Sequence, residues 1–373
     1  MNMKSAAQSL ALLIGSLAFM AILLELVLRM MPVNEGLSFA PVNQQSPVFH
    51  ANGYQTISYS LGWDMFNARE IHINQAGFRN DQEYSNDTST PTIGIIGDSY
   101  VEAVQVDYQD TFYGRLSEEF SDRLNVYSFG FSGAPLSQYL IWAKHAREEY
   151  GVDYLNFVII ANDFGESLAK YKKGPEFHHF SPCETEAPCL RRVDYAPGQV
   201  NFLARHSALV RYLINNMRIF SVPALARQKW SEWTQDQEQV DYVANVSATV
   251  SQERVTDSYR AIDAFLDALP EMTQLPPNRI SMIMDGRDCS DDGAVFNASY
   301  FNLMRIYMAQ EAQKRGYTVL DLRPAFRKDY DLHGSTFEAL RDGHWNERGH
   351  QLVARTLSDF LKSQPLSQAG DAQ

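Results

Sequence analysis

A short polar segment, Gly97-Asp98-Ser99, ends an apolar run in the first third of this sequence. The run, 92–96, is β-branched apart from Gly94, a composition typical of a central strand in a parallel sheet. Open α/β sheets bind their ligands at the carboxyl end of such strands, so Ser99 is the candidate nucleophile. The alternative is ordinary turn chemistry, because turns also favour Gly, Asp and Ser.

A serine hydroxyl attacks an ester only when a base takes its proton, and the candidate base is His344. Residues i and i+2 of an extended segment point the same way, so Asp342 can hold the His344 ring. The three would form a catalytic triad in the chain order Ser99, Asp342, His344. Alternatively, His344 caps the helix that begins near Asn346. We expect His350 on the surface of that helix.

Donors for the negative charge that develops on the carbonyl oxygen are expected in two further loops. The loop 130–135 contains Gly133, which lets a substrate approach backbone N–H groups closely. The segment after the next apolar run offers the side-chain amide of Asn162. We therefore expect an oxyanion hole made by Ser99, Gly133 and Asn162. A tight turn at Gly133 and a helix cap at Asn162 are the alternatives.

A sheet is needed to bring these residues together, and strand and helix patterns alternate along the chain accordingly. Strands are predicted at 92–96, 124–129, 155–160, 280–284 and 318–322. Helices are predicted at 111–120, 136–150, 255–269, 300–315 and 347–361. This order predicts an α/β protein with a flavodoxin-like three-layer α/β/α fold and a central parallel sheet of about five strands.

The interval 164–251 breaks the alternation and is predicted to be a mostly helical insertion that could cap the site. Within it, helical patterns cover 202–220 and 227–242. Its aromatic residues are candidates for stacking on sugar rings or, alternatively, for core packing; they include Trp230, Trp233 and Tyr242.

The first residues of the chain are predicted to anchor it in a membrane. Residues 6–28 contain only four polar side chains and are long enough to cross the hydrocarbon layer as one transmembrane helix. Lys4 favours a cytoplasmic N-terminus, 1–5, and a periplasmic or otherwise extracytoplasmic body on a single-pass inner-membrane protein. A cleaved signal peptide is the alternative, although bulky residues follow the apolar stretch.

A linker and N-terminal extension are predicted at 29–90, because 32–55 is rich in Pro, Asn and Gln. The catalytic domain is expected at 91–363, followed by a flexible tail at 364–373. The formal net charge of −13 disfavours nucleic acid as a partner. A short cluster of lysines is expected to be a solvated loop; it consists of Lys170, Lys172 and Lys173.

The three cysteines bear on the compartment and on metal binding. Cys183 and Cys189 flank a Pro-bounded loop that a disulfide could close, which an oxidising compartment would permit. Cys289 is then the odd one. A zinc site with His178 and His179 is the alternative, but the spacing fits no structural zinc pattern. We expect no metal and no cofactor.

The segment Gly97-Asp98-Ser99-Tyr100 resembles the first block of the SGNH or GDSL-type serine esterases and acyltransferases, with Tyr in place of the usual Leu. Gly133 stands where the second-block glycine would be. Residues 161–163, Ala-Asn-Asp, resemble the third block, with Ala in place of its glycine. The resemblance covers 91–361 without the insertion. It implies the nucleophile, the oxyanion donors and the histidine named above.

The spacing of the acid differs from that of many members of this family, which place it three residues before the histidine. Asp342 lies two residues before His344, a spacing similar to that of the alginate O-acetyltransferases and related polysaccharide-modifying proteins. We therefore expect a membrane-anchored serine esterase that removes O-acyl groups, most plausibly acetyl, from an acylated carbohydrate of the cell envelope. Polysaccharide-export or acyl-donor membrane proteins are candidate partners.

Two other functions fit the same residues. A polysaccharide O-acetyltransferase would use the same triad but pass the acyl group to a sugar hydroxyl instead of water. A non-catalytic envelope assembly protein would keep the fold without turnover.

Overall fold

The computed structural model describes residues 3–87, 89–172, 174, 176–184, 188–221, 242–243, 246–286 and 294–364. The chain divides into two compact units. We call the first the N-terminal unit; it comprises Met1–Ser38, Gln55–Ile71 and Pro197–Gln237. We call the second the sheet unit; it comprises Phe39–Tyr54, His72–Ala196 and Glu238–Gln373.

The strands alternate with helices over most of the sheet unit. The strands are β1 (Thr56–Leu61), β2 (Phe66–His72), β3 (Thr92–Gly97), β4 (Asn125–Gly130), β5 (Tyr154–Ile159), β6 (His179–Ser181), β7 (Cys189–Arg191), β8 (Tyr242–Val243), β9 (Val246–Ser247), β10 (Ile280–Met284) and β11 (Thr318–Asp321). The α-helices are α1 (Met3–Leu28), α2 (Ser99–Glu102), α3 (Phe112–Glu119), α4 (Leu136–Tyr150), α5 (Asp163–Glu166), α6 (Gln199–His206), α7 (Ala208–Arg211), α8 (Gln252–Thr273), α9 (Ala294–Ala298), α10 (Tyr300–Lys314), α11 (Arg323–His333) and α12 (Glu347–Ser363).

The central sheet has five parallel strands in the order β11-β10-β5-β3-β4. The predicted fold class is therefore confirmed, and each of the five predicted strands lies within a residue of its observed bounds. The two edge-to-centre crossovers leave β3 between β5 and β4. The carboxyl ends of these three strands consequently lie side by side.

Alternate residues of the central strands contact different layers of helices, as a buried strand requires. Ile93 and Ile95 of β3 share one apolar cluster with residues of α3 and α12. On the neighbouring strand, Val158 joins that cluster, whereas Phe157 packs edge-on against Phe265 of α8 at a ring-centroid distance of 5.3 Å. Helices therefore cover both faces of the sheet.

Residues 39–54 are not the spacer that the sequence predicts, because they pack within the sheet unit. Phe49 is buried, stacks on Phe39 at 4.6 Å and meets Phe131 edge-on at 5.5 Å. Its carbonyl also accepts a hydrogen bond from the indole N–H of Trp142 at 2.8 Å. The composition of this stretch is typical of a linker, but its few large apolar residues find partners distant in sequence.

The N-terminal unit contains α1, most of the β1–β2 hairpin, and α6 and α7. Within α1, Ala7–Leu28 is long and apolar enough to cross a membrane, with a mean hydropathy of 2.5. The single helix predicted at 202–220 is interrupted, because Ser207 takes an extended conformation and its hydroxyl caps α7 by accepting from the Val210 amide. A short π-helix, Tyr212–Asn216, follows.

Two further sequence interpretations need comment. Helix α11 has no counterpart among the predicted helices, because it is mainly polar and buries only Phe326. Most of the helical stretch predicted at 227–242 lies outside the described residues, as do Trp230, Trp233 and Cys289; Tyr242 begins β8.

Candidate active site

Ser99 is the first residue of α2 and is separated from the end of β3 only by Asp98. Asp98 caps the helix, since its Oδ1 accepts a hydrogen bond from the Tyr100 amide at 3.0 Å. Glycine is required beneath this turn: a Cβ on Gly97 would lie 2.5 Å from Val101 Cγ2. The tight strand-to-helix turn thus presents the Ser99 hydroxyl at the edge of the sheet.

His344 lies in the loop between α11 and α12, which its own backbone closes by accepting from the Ala339 amide at 2.9 Å. Tyr100 donates from its hydroxyl to the Gly343 carbonyl at 2.9 Å, and its ring lies 4.9 Å from the imidazole. The next residue, Trp345, is fully buried. The loop is therefore fixed on both sides of the imidazole, by a residue of α2 and by the core.

The structure brings Ser99, His344 and Asp342 together. His344 Nε2 lies 2.6 Å from Ser99 Oγ, and its Nδ1 contacts Asp342 Oδ1. The same carboxylate oxygen accepts from the His344 amide at 3.1 Å, which orients it toward the ring. Asp342 is mostly buried and the imidazole is about a quarter exposed. A hydroxyl, an imidazole and a carboxylate in this order can transfer a proton from oxygen to nitrogen during attack on an ester.

Gly133 follows β4, the neighbour of β3, in a loop that a buried carboxylate fixes. Its φ of +80° is a conformation that glycine adopts readily. Glu102, at the end of α2, accepts a hydrogen bond from the Ser132 amide at 2.8 Å and contacts the Ser132 hydroxyl. The helix that begins with Ser99 thus also orients the peptide group that carries the Gly133 N–H.

Asn162 follows β5, the other neighbour of β3, and directly precedes α5. Its Nδ2 donates to Glu166 Oε2 at 3.4 Å. The same oxygen contacts Lys172 Nζ, which donates to the Gly133 carbonyl at 2.9 Å. Lys172 is therefore not a solvated surface residue, as its sequence suggests. A charged bridge of Glu166 and Lys172 connects the two loops that carry the expected oxyanion donors.

Buried carboxyl groups lie directly below this site. Burial raises the pKa of Asp98 to about 6, against the lowering effect of hydrogen bonds from Tyr100 and Ser99 and of His344 nearby. Burial also raises the pKa of Glu102, and it raises that of Asp163, with a further contribution from Asp98, well above the usual range. The floor of the site therefore favours neutral carboxyl groups.

His350 is a correction to the sequence analysis, because it is fully buried rather than on the helix surface. Its ring stacks on Phe112 at 5.9 Å, and its Nδ1 accepts from the Phe112 amide at 3.4 Å. Burial lowers its pKa to about 3, which keeps the ring neutral. His350 therefore packs the core.

The structure joins Cys183 and Cys189 in a disulfide, with their Cα atoms 5.6 Å apart. Among the described residues, no cluster of His, Cys, Asp and Glu could hold a metal ion. His178 and His179 instead have protein partners: His178 Nδ1 lies 3.1 Å from the Gln138 side-chain oxygen, and His179 Nδ1 lies 3.1 Å from the Glu166 carbonyl.

Sequence reasoning missed the residues that support the site, above all Glu102, Glu166 and Lys172. One signal was present: Glu102 lies three residues after Ser99, on the helix that the Gly-Asp-Ser turn begins. Its partner Ser132 is distant in sequence, and only the pairing of β3 with β4 brings the two together.

Several solved structures are similar to the chain, while no protein-family model and no curated protein matches it. A member of the lipolytic protein G-D-S-L family from Veillonella parvula is 11% identical over 74% of this chain and 100% of its own, with a TM-score of 0.38. The acetyl xylan esterase AlAXEase is 10% identical over 72% and 99%, with a TM-score of 0.38. The esterase EstA from Pseudoalteromonas sp. is 10% identical over 73% and 96%, with a TM-score of 0.36.

These names belong to the class that the sequence motifs resemble, the SGNH or GDSL-type esterases. At such identities and TM-scores, the chemistry proposed below rests on the side-chain geometry of this chain alone.

Proposed function

We propose that this protein is a membrane-anchored, extracytoplasmic serine esterase of SGNH type. It would remove O-acyl groups, acetyl in particular, from a polysaccharide of the cell envelope or one exported through it. The observation that carries the proposal is the 2.6 Å approach of Ser99 Oγ to His344 Nε2, with Asp342 on the other ring nitrogen. This is the arrangement that activates a serine for acyl transfer.

In the first half-reaction, Ser99 Oγ attacks the ester carbonyl carbon while its proton passes to His344 Nε2. Asp342 holds the ring orientation and stabilises the imidazolium. The tetrahedral intermediate then collapses, the sugar oxygen takes the proton from His344, and an acyl-enzyme remains on Ser99. A water molecule, deprotonated by His344, attacks that acyl group and releases the carboxylic acid with free Ser99.

The negative charge on the carbonyl oxygen needs preorganised donors. We assign these to the Ser99 and Gly133 amides and the Asn162 side chain. Each donor follows one of the three adjacent strands β3, β4 and β5. Asn162 Nδ2 carries two hydrogens, and the one that binds Glu166 fixes the amide so that the other can point at the substrate.

The anchor and the compartment are supported by the N-terminal unit and by the disulfide. Leu28, the last residue of α1, is buried together with Val33 and Met65 of the same unit. This integration favours an uncleaved anchor over a signal peptide. The disulfide of Cys183 and Cys189 and the charge of Lys4 favour an oxidising, extracytoplasmic location for the body.

Acyl transfer to a sugar hydroxyl is the second candidate, favoured by the spacing of Asp342 and His344, which resembles that of alginate O-acetyltransferases. The two activities differ only in whether water or an alcohol reaches the acyl-enzyme.

The test uses the purified full-length chain in detergent with a chromogenic acetyl ester, with and without an acetyl-free polysaccharide. Hydrolysis that the polysaccharide does not alter supports the esterase, and acetylation of the polysaccharide supports the transferase. Ser99→Ala should abolish either activity, and Ser132→Ala, which keeps the nucleophile, is the matched control. Activity retained by Ser99→Ala, or none in the unaltered chain, would refute the assignment.

A further inference from the structure

We infer that the N-terminal unit has a second membrane-contacting surface beside α1, which lies in the lipid headgroup region and holds the unit flat on the bilayer. We call it the apolar rim; its residues are Met30, Trp63, Val200, Phe202 and Leu203. The inference extends the proposed anchor, on which it rests.

The position of the rim follows from how the end of α1 is fixed. Glu25 accepts hydrogen bonds from the Ser207 hydroxyl at 2.8 Å and from the amides of Ala208 and Leu209 at 3.0 and 2.9 Å. Arg29, one turn further along α1, donates to the His206 carbonyl at 3.2 Å. The junction between α6 and α7 is therefore held against the last turn of the proposed transmembrane helix.

This junction lies at the depth of the membrane surface. A helix rises ~1.5 Å per residue, so Glu25 lies about 27 Å along the axis from Ala7, the first residue of the apolar span. The hydrocarbon core of a bilayer is ~30 Å thick. Whatever is attached at Glu25 thus lies where the hydrocarbon layer gives way to headgroups.

The side chains attached there are apolar and exposed. Helix α6 buries none of its residues, and Val200, Phe202 and Leu203 are 48%, 63% and 55% exposed. Trp63, in the turn between β1 and β2, is 71% exposed. This turn is close to the end of α1, since Met65 packs in the same small cluster as Leu28.

Lipid is the occupant that these features favour. The rim continues the exposed apolar surface of α1, whose spanning window has no buried residue. Its composition is that of the membrane interface, where tryptophan and phenylalanine insert between headgroups and arginine stays near the phosphates. Arg29 and Arg205 flank α6 on its two sides in sequence and space.

The test uses the full-length chain in vesicles of phosphatidylcholine with a minority of phosphatidylglycerol. In a Cys289→Ser background, which leaves the disulfide pair intact, an environment-sensitive fluorophore is attached to a cysteine at one of three exposed leucines: Leu203→Cys in the rim, Leu17→Cys within α1, and Leu332→Cys in α11 as the matched control. Each label is then quenched by nitroxide-bearing lipids and, separately, by aqueous iodide.

We expect lipid nitroxides to remove most of the fluorescence at positions 203 and 17 and little at position 332, where iodide quenches instead. Iodide quenching at 203 equal to that at 332 would overturn the inference while leaving the anchor intact, provided that position 17 is quenched by lipid. Protection of 203 from both quenchers would also overturn it, because protein would then cover the rim. If position 17 is not quenched by lipid, the proposed anchor itself fails.

Discussion

Lys172 and Glu166 do not touch a substrate in the proposed mechanism, yet they join the two loops that stabilise its negative charge. Lys172→Met removes the donor to the Gly133 carbonyl and leaves Glu166 without its cationic partner. We expect kcat to fall about tenfold, less than the loss of a whole oxyanion donor, with KM little changed. Steady-state kinetics with the acetyl ester provide the measurement.

Lys170→Met is the matched control for this change. Lys170 is half-exposed and pairs with Glu253 and Asp257 on α8. We expect its replacement to leave kcat unaltered. Equal losses in both variants, or a change in KM alone for Lys172→Met, would show that the bridge does not position the oxyanion donors.

Asp98 connects the site to the pH dependence of stability. Its pKa is raised from 3.8 in the unfolded chain to about 6 in the folded protein, so between these values the folded state holds the extra proton. The Asp98 contribution to stability is present below pH 3.8 and is lost as pH rises through 6. Asparagine keeps an oxygen that can cap α2 but cannot ionise.

Asp98→Asn should therefore show a smaller decline in Tm as pH rises through this window, and a higher Tm than the unaltered chain above pH 6. Thermal unfolding followed by circular dichroism across the window measures this. The exposed Asp122→Asn is the control. A slope for Asp98→Asn identical to that of the unaltered chain would contradict the role of burial in the Asp98 pKa.

At the level of the elements, the site depends on how closely α2 approaches β3 and β4. A Cβ on Gly130, the last residue of β4, would lie 2.7 Å from Val101 Cβ and 3.0 Å from the Asp98 carbonyl. Gly130→Ala should cost about 1–3 kcal/mol of unfolding free energy, because the contact is with backbone and a short, rigid side chain.

Urea unfolding measures this cost. Gly198→Ala, where no heavy atom lies within 4 Å of the new Cβ, should change the free energy by less than ~0.5 kcal/mol. Stability of Gly130→Ala equal to that of the control would mean that α2 is free to move away from the sheet.

The strands of the sheet could be predicted because their apolar runs are short, β-branched and bounded by polar turns, as in β3 and β10. The packing of Phe49 could not, because its partner Phe131 is distant in sequence and the residues around it have the composition of a linker. The same holds for His350, whose burial against Phe112 depends on how α12 packs on α3. Local pattern thus predicts an element but not the distant partner that buries a given side chain.

For the site itself, the sequence predicts which residues follow which strand, and the parallel sheet then brings Ser99 and His344 together. What it does not contain is the support around them. Glu102 and Lys172 each contact the loop of Gly133 from a different part of the chain. Neither residue type nor spacing distinguishes them from solvated surface charges.

At the level of the whole molecule, Glu25 is the residue through which α1 is built into the N-terminal unit. Glu25→Ala removes the acceptor of four hydrogen bonds, from Arg29, Ser207, Ala208 and Leu209. The two backbone donors lose their protein partner, at a cost of about 1–3 kcal/mol. We therefore expect faster proteolytic cleavage within 197–221 of the full-length chain. Ester turnover should be unaltered, because the proposed triad belongs entirely to the sheet unit. Limited proteolysis in detergent with mass mapping, alongside the esterase assay, measures both. Glu148→Ala, which removes only an exposed contact with Lys144 at 3.7 Å, is the control. Unchanged cleavage in Glu25→Ala would mean that α1 is not held by these hydrogen bonds, and lost turnover would mean that the site depends on how the anchor is fixed.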